Sequence, residues 1–111
     1  GVLPVVSPVS RGEDGEPLNV NADDAAAAVA EALGAAELLL VSNVPGVLHA
    51  GAVLPSLAAA EVEALIADGV ATGGMAPKLR AAARTVAAGV GAVRIGGLEM
   101  LADPAAGTRI Y

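Results

Sequence analysis

The chain has 111 residues, 55% of them hydrophobic, with six basic against twelve acidic side chains and a formal net charge of −6 at neutral pH. That length bounds it to one domain able to bury a core of its own, and the acidic balance excludes duplex nucleic acid and anionic membrane as main partners, since both reward clustered Lys and Arg. Cysteine, phenylalanine and tryptophan are absent and Tyr111 is the one aromatic residue, which removes disulfides, thiolate metal sites, thiol nucleophiles and base-stacking platforms.

Along the chain, Gly1 to Val9 (GVLPVVSPV) reads as a short buried strand that Pro4 and Pro8 restrict to an edge or to strand ends. The polar run Arg11 to Pro17 (RGEDGEP) is a turn, flanked hairpin-fashion by Val5–Val9 and Leu18–Val20. Asn21 and Asp23 precede an alanine-rich helix that stops at Gly34. Leu38–Val41 is too short for a helix and suits a strand buried on both faces. A long loop, Ser42 to Leu57, carries two prolines and two glycines, and loops of this length inside compact domains are commonly functional. Ala58–Asp68 is an amphipathic helix with an acidic side, the bend GVATGG leads to a helix over Met75–Ala88, and Ala92–Ile95 is another buried strand. A short helix or turn at Met100–Ala102 and a strand over Thr108–Tyr111 complete the chain.

Strands separated by helices imply an α/β fold: a three-layer αβα sandwich on a mainly parallel sheet, with ligands beyond the carboxyl ends of the strands. Nothing in the sequence divides the chain, so residues 1–111 form a single domain. No apolar run reaches the ~20 residues needed to span a bilayer, and the first residues lack a charged secretory start, so a cytoplasmic location is expected.

Three segments could carry chemistry. The helix from Met75 holds Lys78, the only lysine, with Arg80 and Arg84 and no acid. A lysine in a first helical turn opposes the helix dipole, so an anion is expected nearby, and a Gly-Gly turn opening a helix is a plausible phosphate cradle. The same spacing also fits a solvated helix with a glycine linker and Pro77 as a first-turn proline. In LNVNADDAA, Asn21 or Asp23 would serve as an ordinary N-cap, while Asn19 and Asn21 on an extended stretch would share a face suited to a small polar ligand, with Asp23 free to orient a lysine. SNVPGVL is either a turn made by Pro45 and Gly46 or a nucleotide contact. His49 has no ligand set around it, and the serines have no His–Asp partners, so neither a protein-held metal nor a hydrolase triad is expected.

LNVNADDAA, LLLVSNVPGVL, DGVATGGMAPKLRAA and a closing GTRI, in this order, resemble the carboxyl-terminal half of the N-acetylglutamate kinases, within the amino-acid kinase family. The resemblance implies the carbamate kinase-like fold of that family and transfer of the γ-phosphoryl group of MgATP to the side-chain carboxylate of N-acetyl-L-glutamate, a step of arginine biosynthesis. It implies that Asn19 and Asn21 contact the acylated amino acid, that Asp23 organises catalytic lysines, and that Lys78 stabilises the phosphates in the transition state. Ser42, Asn43, Val44, Pro45, Gly46, Val47 and Leu48, with Val70, Ala71, Thr72, Gly73, Gly74 and Met75, would line the nucleotide site. Mg²⁺ would ride on the nucleotide's phosphates.

The first half of such proteins, with its glycine-rich loops and most of the substrate pocket and dimer contact, has no counterpart here. The expectation is therefore an isolated ATP-binding half, inactive alone, belonging to a homo-oligomeric enzyme. Asn43 stands where the family commonly has Asp, a feature shared with kinases acting on carrier-protein-linked aminoadipate or glutamate in lysine biosynthesis, the nearest alternative. A non-catalytic ligand-binding regulatory domain of the same α/β type is the other.

Overall fold

The structure is a computed structural model that describes residues 1–19 and 21–111. Strands β1 (Val9–Arg11) and β2 (Pro17–Asn19) pair antiparallel around the polar turn, where the Gly15 N–H donates to the Gly12 carbonyl at 2.9 Å. The expected hairpin is present, and Val20, its expected last residue, lies outside the described residues. The buried strand expected at Gly1–Val9 is not found. Residues 1–8 form no regular element, and Val2, Leu3, Val5 and Val6 are exposed. Pro4 and Pro8 lack the N–H that a ladder requires, and among the described residues no strand lies beside this segment.

Helix α1 (Ala22–Leu33) begins where Asn21 Oδ1 accepts the N–H groups of Asp23 at 2.9 Å and Asp24 at 3.3 Å, and it ends at Gly34 in the left-handed conformation (φ 61°). Strand β3 (Glu37–Val41) follows. The stretch expected as one long loop contains more structure: β4 (Leu48–His49) and β5 (Ala52–Val53) form a hairpin, and β6 (Ser56–Leu57) joins the main sheet. Two-residue strands are too short for an alternating pattern to register in sequence. The helix expected over Ala58–Asp68 is a 3₁₀ turn at Ala59–Glu61 and a short α2 (Val62–Ala67). Then come α3 (Met75–Ala87), β7 (Ala92–Gly96), a 3₁₀ turn at Leu98–Leu101 and β8 (Thr108–Ile110).

The main sheet runs β3-β7-β8-β6. β3 with β7 and β6 with β8 are parallel, while β7 and β8 are antiparallel, so the fold is α/β with a mainly parallel sheet, as expected. The antiparallel pair follows from its connection. Residues 97–107 hold only one 3₁₀ turn, whereas a parallel crossover needs about a dozen residues or more and usually a helix.

Alternation along the strands separates two faces. Leu40, Val93, Ile95 and Ile110 meet Leu79 and Ala82 of α3 and Val62 of α2 in the core, and Ala82 is fully buried. Alanine on α3 lets the helix axis lie close to the sheet, which explains how a core without Phe or Trp closes. The opposite face belongs to Arg94. This residue, 6% exposed, pairs with Glu37 through Nε at 2.7 Å and donates from Nη1 to the carbonyls of Asp103 and Ala106, both at 3.2 Å. It thereby fastens the 97–107 connection across the back of the sheet.

Candidate nucleotide site

The connections from α1 to β3 and from α3 to β7 are short, so both helices start at the carboxyl ends of the parallel pair β3 and β7, where α/β sheets hold ligands. Two clefts open there. The first, of about 220 Å³, is lined by Val44, Gly46, Val47, Leu48, Val70, Thr72 and Met75. The second, of about 380 Å³, is lined by Asn21, Asp23, Asp24, Gly74, Pro77, Arg80 and Arg84. Met75 borders one and Gly74 the other, so the two flank the start of α3.

The first cleft brings together the two segments singled out in the sequence, SNVPGVL and VATGGM. Its walls are mostly aliphatic, as a flat, largely apolar ring requires. Of the expected residues, Val44, Gly46, Val47, Leu48, Val70, Thr72 and Met75 line it, and Gly74 lies in the second cleft. Ser42, Asn43, Pro45, Ala71 and Gly73 belong to the same two segments without lining the first cleft. Ser42 is tied to the strand end, its N–H donating to the Gly96 carbonyl at 2.7 Å, and Ala71 is buried against the core. Gly46 allows close packing: a Cβ there would lie 2.8 Å from both Thr108 Oγ1 and Val53 Cγ1.

The second cleft is polar. Lys78 Nζ donates to both carboxylate oxygens of Asp23, at 2.9 and 2.8 Å, and both side chains are largely shielded from solvent. Arg84 donates to Asp24 at 2.9 Å. Arg80 makes a two-pronged pair with Glu63 at 2.8 and 3.1 Å, and that hydrogen bond holds the Glu63 carboxyl below its usual range and raises the Arg80 guanidinium. The anions expected near the cationic helix are thus carboxylates of α1 and α2, one for each cation of α3. Linear sequence could not show this, because the partners lie 17 to 60 residues away.

Asn21 takes the capping role: its Oδ1 is occupied by α1, although the residue also borders the polar cleft. The side chain of Asn19 lies outside the described residues. Helix α3, by contrast, starts at Gly74 with no side-chain cap and no acid in its first turn, so its positive end faces the clefts without a compensating carboxylate of its own. An uncapped helix start, a neighbouring lysine and an apolar cleft fit a nucleotide's phosphates and base respectively. Among the described residues no group of three or more His, Cys, Asp or Glu could hold a metal ion. The sequence reading missed Thr108, whose fully buried hydroxyl touches the loop that walls the first cleft. The one sequence signal for it was the closing GTRI.

Known proteins share this sequence and fold. The amino acid kinase family matches residues 1–97. The acetylglutamate kinase of Roseiflexus sp. (strain RS-1) is 56% identical over 101 residues, covering 91% of this chain and 38% of that protein. Among solved structures, smu.665 from Streptococcus mutans UA159 superposes with a TM-score of 0.82 at 46% identity, covering 93% of this chain and 40% of that one. Carbamate kinase from Giardia lamblia bound to citric acid gives 0.73 at 27% identity, with coverages of 92% and 35%. The chain spans about two-fifths of the length of the curated relatives it matches. Both clefts and the Lys78–Asp23 pair fall inside the matched residues, and on fold and sequence together the chain belongs to the amino acid kinase family.

Proposed function

We propose that this chain is the ATP-binding, carboxyl-terminal part of an enzyme that phosphorylates the side-chain carboxylate of N-acetyl-L-glutamate, giving an acyl phosphate for arginine biosynthesis. The observation that carries the reading is the apolar cleft between residues 44–48 and 70–75, opening at the uncapped start of α3 beside Lys78. The names of the relatives support the choice of substrate.

The acceptor carboxylate is already ionised at neutral pH, so no general base is needed. Its oxygen bonds to the γ-phosphorus as the bridging bond to the β-phosphate breaks and ADP leaves. Such transfers depend on positioning and on charge stabilisation at the phosphoryl oxygens. Bound ATP with Mg²⁺ supplies the phosphoryl group and part of that stabilisation. Lys78 contributes a cation whose direction is set by two hydrogen bonds to Asp23. Ser42 to Leu48 and Val70 to Met75 hold the nucleotide, and Asn19 and Asn21 contact the acylated amino acid. A cytoplasmic location and a homo-oligomeric full-length protein belong to the same proposal. The 111 residues alone lack turnover.

The test is acyl-phosphate formation by the full-length protein, with free N-acetyl-L-glutamate compared with carrier-protein-linked aminoadipate and glutamate. Turnover of the free acid supports the reading. Turnover of the linked substrates alone replaces it with the lysine-pathway reaction, and MgATP binding without turnover of either makes the domain regulatory.

A further inference from the structure

Thr108 is fully buried in β8, outside the lining of either cleft, yet it is built into the hairpin that walls the apolar one. Val47 and Leu54 flank β4 and β5 and would, in a regular antiparallel ladder, exchange two direct N–H···O=C bonds. Only one is direct: the Leu54 N–H donates to the Val47 carbonyl at 2.9 Å. In place of the other stands the Thr108 hydroxyl, accepting the Val47 N–H at 2.9 Å and donating to the Leu54 carbonyl at 2.7 Å. A side chain from a strand more than fifty residues later is inserted between the two arms of the hairpin. Gly46 makes room for it, since a Cβ at that position would lie 2.8 Å from the same hydroxyl oxygen.

We propose that Thr108 is a positioning residue for nucleotide binding: its hydroxyl sets the spacing of the hairpin base and so the place of Gly46, Val47 and Leu48 on the cleft wall. The proposal rests on the reading of that cleft as the nucleotide site. Without the hydroxyl, the arms can regain a direct bond only by closing on each other, which carries the wall with them. Otherwise a buried N–H and a buried carbonyl are left unpaired. Either outcome acts on the nucleotide and leaves Asn21, Asp23 and Lys78, at the other cleft, in place.

The experiment uses the full-length protein and initial rates, varying MgATP at saturating N-acetyl-L-glutamate and the reverse. Thr108→Val keeps the shape and removes both hydrogen bonds; about a tenfold rise in KM for MgATP is expected, with kcat and the KM for the acceptor within about twofold. Thr108→Ser keeps the hydroxyl and is expected to restore the wild-type KM for MgATP at a lower Tm. An unchanged KM for MgATP in Thr108→Val, an equal rise in both KM values, or a serine variant as impaired as the valine one overturns the proposal. If the valine variant does not fold, the serine variant carries the test, and about a tenfold rise in its KM for MgATP refutes the hydroxyl's role. A wild-type protein that does not bind MgATP refutes the nucleotide reading, and the proposal with it. A wild-type protein that binds it while Thr108→Val binds it equally well refutes only the role of Thr108.

Discussion

Lys78 and Asp23, 55 residues apart, face each other across the starts of two helices, with Nζ at 2.9 and 2.8 Å from the two carboxylate oxygens. The pair matches a cation in the first turn of α3 with an acid in the first turn of α1. The lysine is at an end of α3 where its charge opposes the helix dipole, while Asp23 is favourably placed on its own helix. Its geometry is therefore held by the acid rather than by its own helix.

From this comes the first prediction. In the full-length protein, Lys78→Ala should lower kcat by about two to three orders of magnitude, the usual cost of deleting one group that stabilises transition-state charge. Asp23→Asn, which keeps the shape and loosens the lysine, should also lower kcat, with a smaller change in the KM for MgATP. Steady-state kinetics check both. A variant pair with wild-type kcat would remove the two residues from the catalytic site.

The second concerns Arg94. Its fork serves Glu37 and the carbonyls of Met100, Asp103 and Ala106 at once. Arg94→Met removes every one of these donors, strips the buried Met100 carbonyl of its guanidinium partner and breaks the ion pair with Glu37, so a loss of about 3 kcal/mol in unfolding free energy is expected. Arg94→Lys should recover only a fraction, because a lysine has three donors on one nitrogen and cannot span those acceptors. Chemical denaturation of the full-length variants measures both.

A third prediction arises at the tip of the β4–β5 hairpin. Ala50 has φ 52° and Gly51 φ 80°, so both central residues of the two-residue turn are left-handed, as the twist of a hairpin favours. Alanine is strained there, whereas asparagine tolerates the region and Asn-Gly is a preferred pair. Ala50→Asn should stabilise the protein by about 0.5–1 kcal/mol, seen as a higher Tm with unaltered KM for MgATP.

The fourth is a pH effect. Glu63 titrates below its ordinary 4.5 because Arg80 hydrogen-bonds its charged form. A carboxyl with a lowered folded-state pKa stabilises the fold fully above its ordinary pKa and loses that contribution as pH falls through the lowered value. The stability difference between wild type and Glu63→Gln should therefore be flat near neutrality, begin to fall as pH drops below that ordinary value, and vanish only below the lowered one. Since the pair is exposed, the difference should also shrink with added salt.

Local patterns were enough to place α1, α3, β3, β7 and the β1–β2 hairpin, because each has its own cap, turn or apolar run: Asn21 and Gly34 around α1, RGEDGEP between β1 and β2. The two segments of the apolar cleft were legible too, through Pro45, Gly46 and the glycine-rich bend before Met75. What lay outside the reach of local pattern were relations between distant segments. The burial expected for Gly1–Val9 failed because an apolar run specifies a strand only when another strand is available to pair with it. The direction of β8 was decided by the short connection before it rather than by its own residues.

By itself, the sequence determined the α/β class and the helix boundaries at Asn21 and Gly34, and it singled out the lone lysine on α3. The tertiary structure alone decided that the three cations of α3 are matched by Asp23, Glu63 and Asp24, and that Thr108 enters the hairpin beside the cleft. The physical reason is range. Helix propensity, capping and turn geometry act over a few neighbouring residues and are written locally, whereas ion pairs and inserted hydroxyls depend on which surfaces the folded sheet brings within 3 Å.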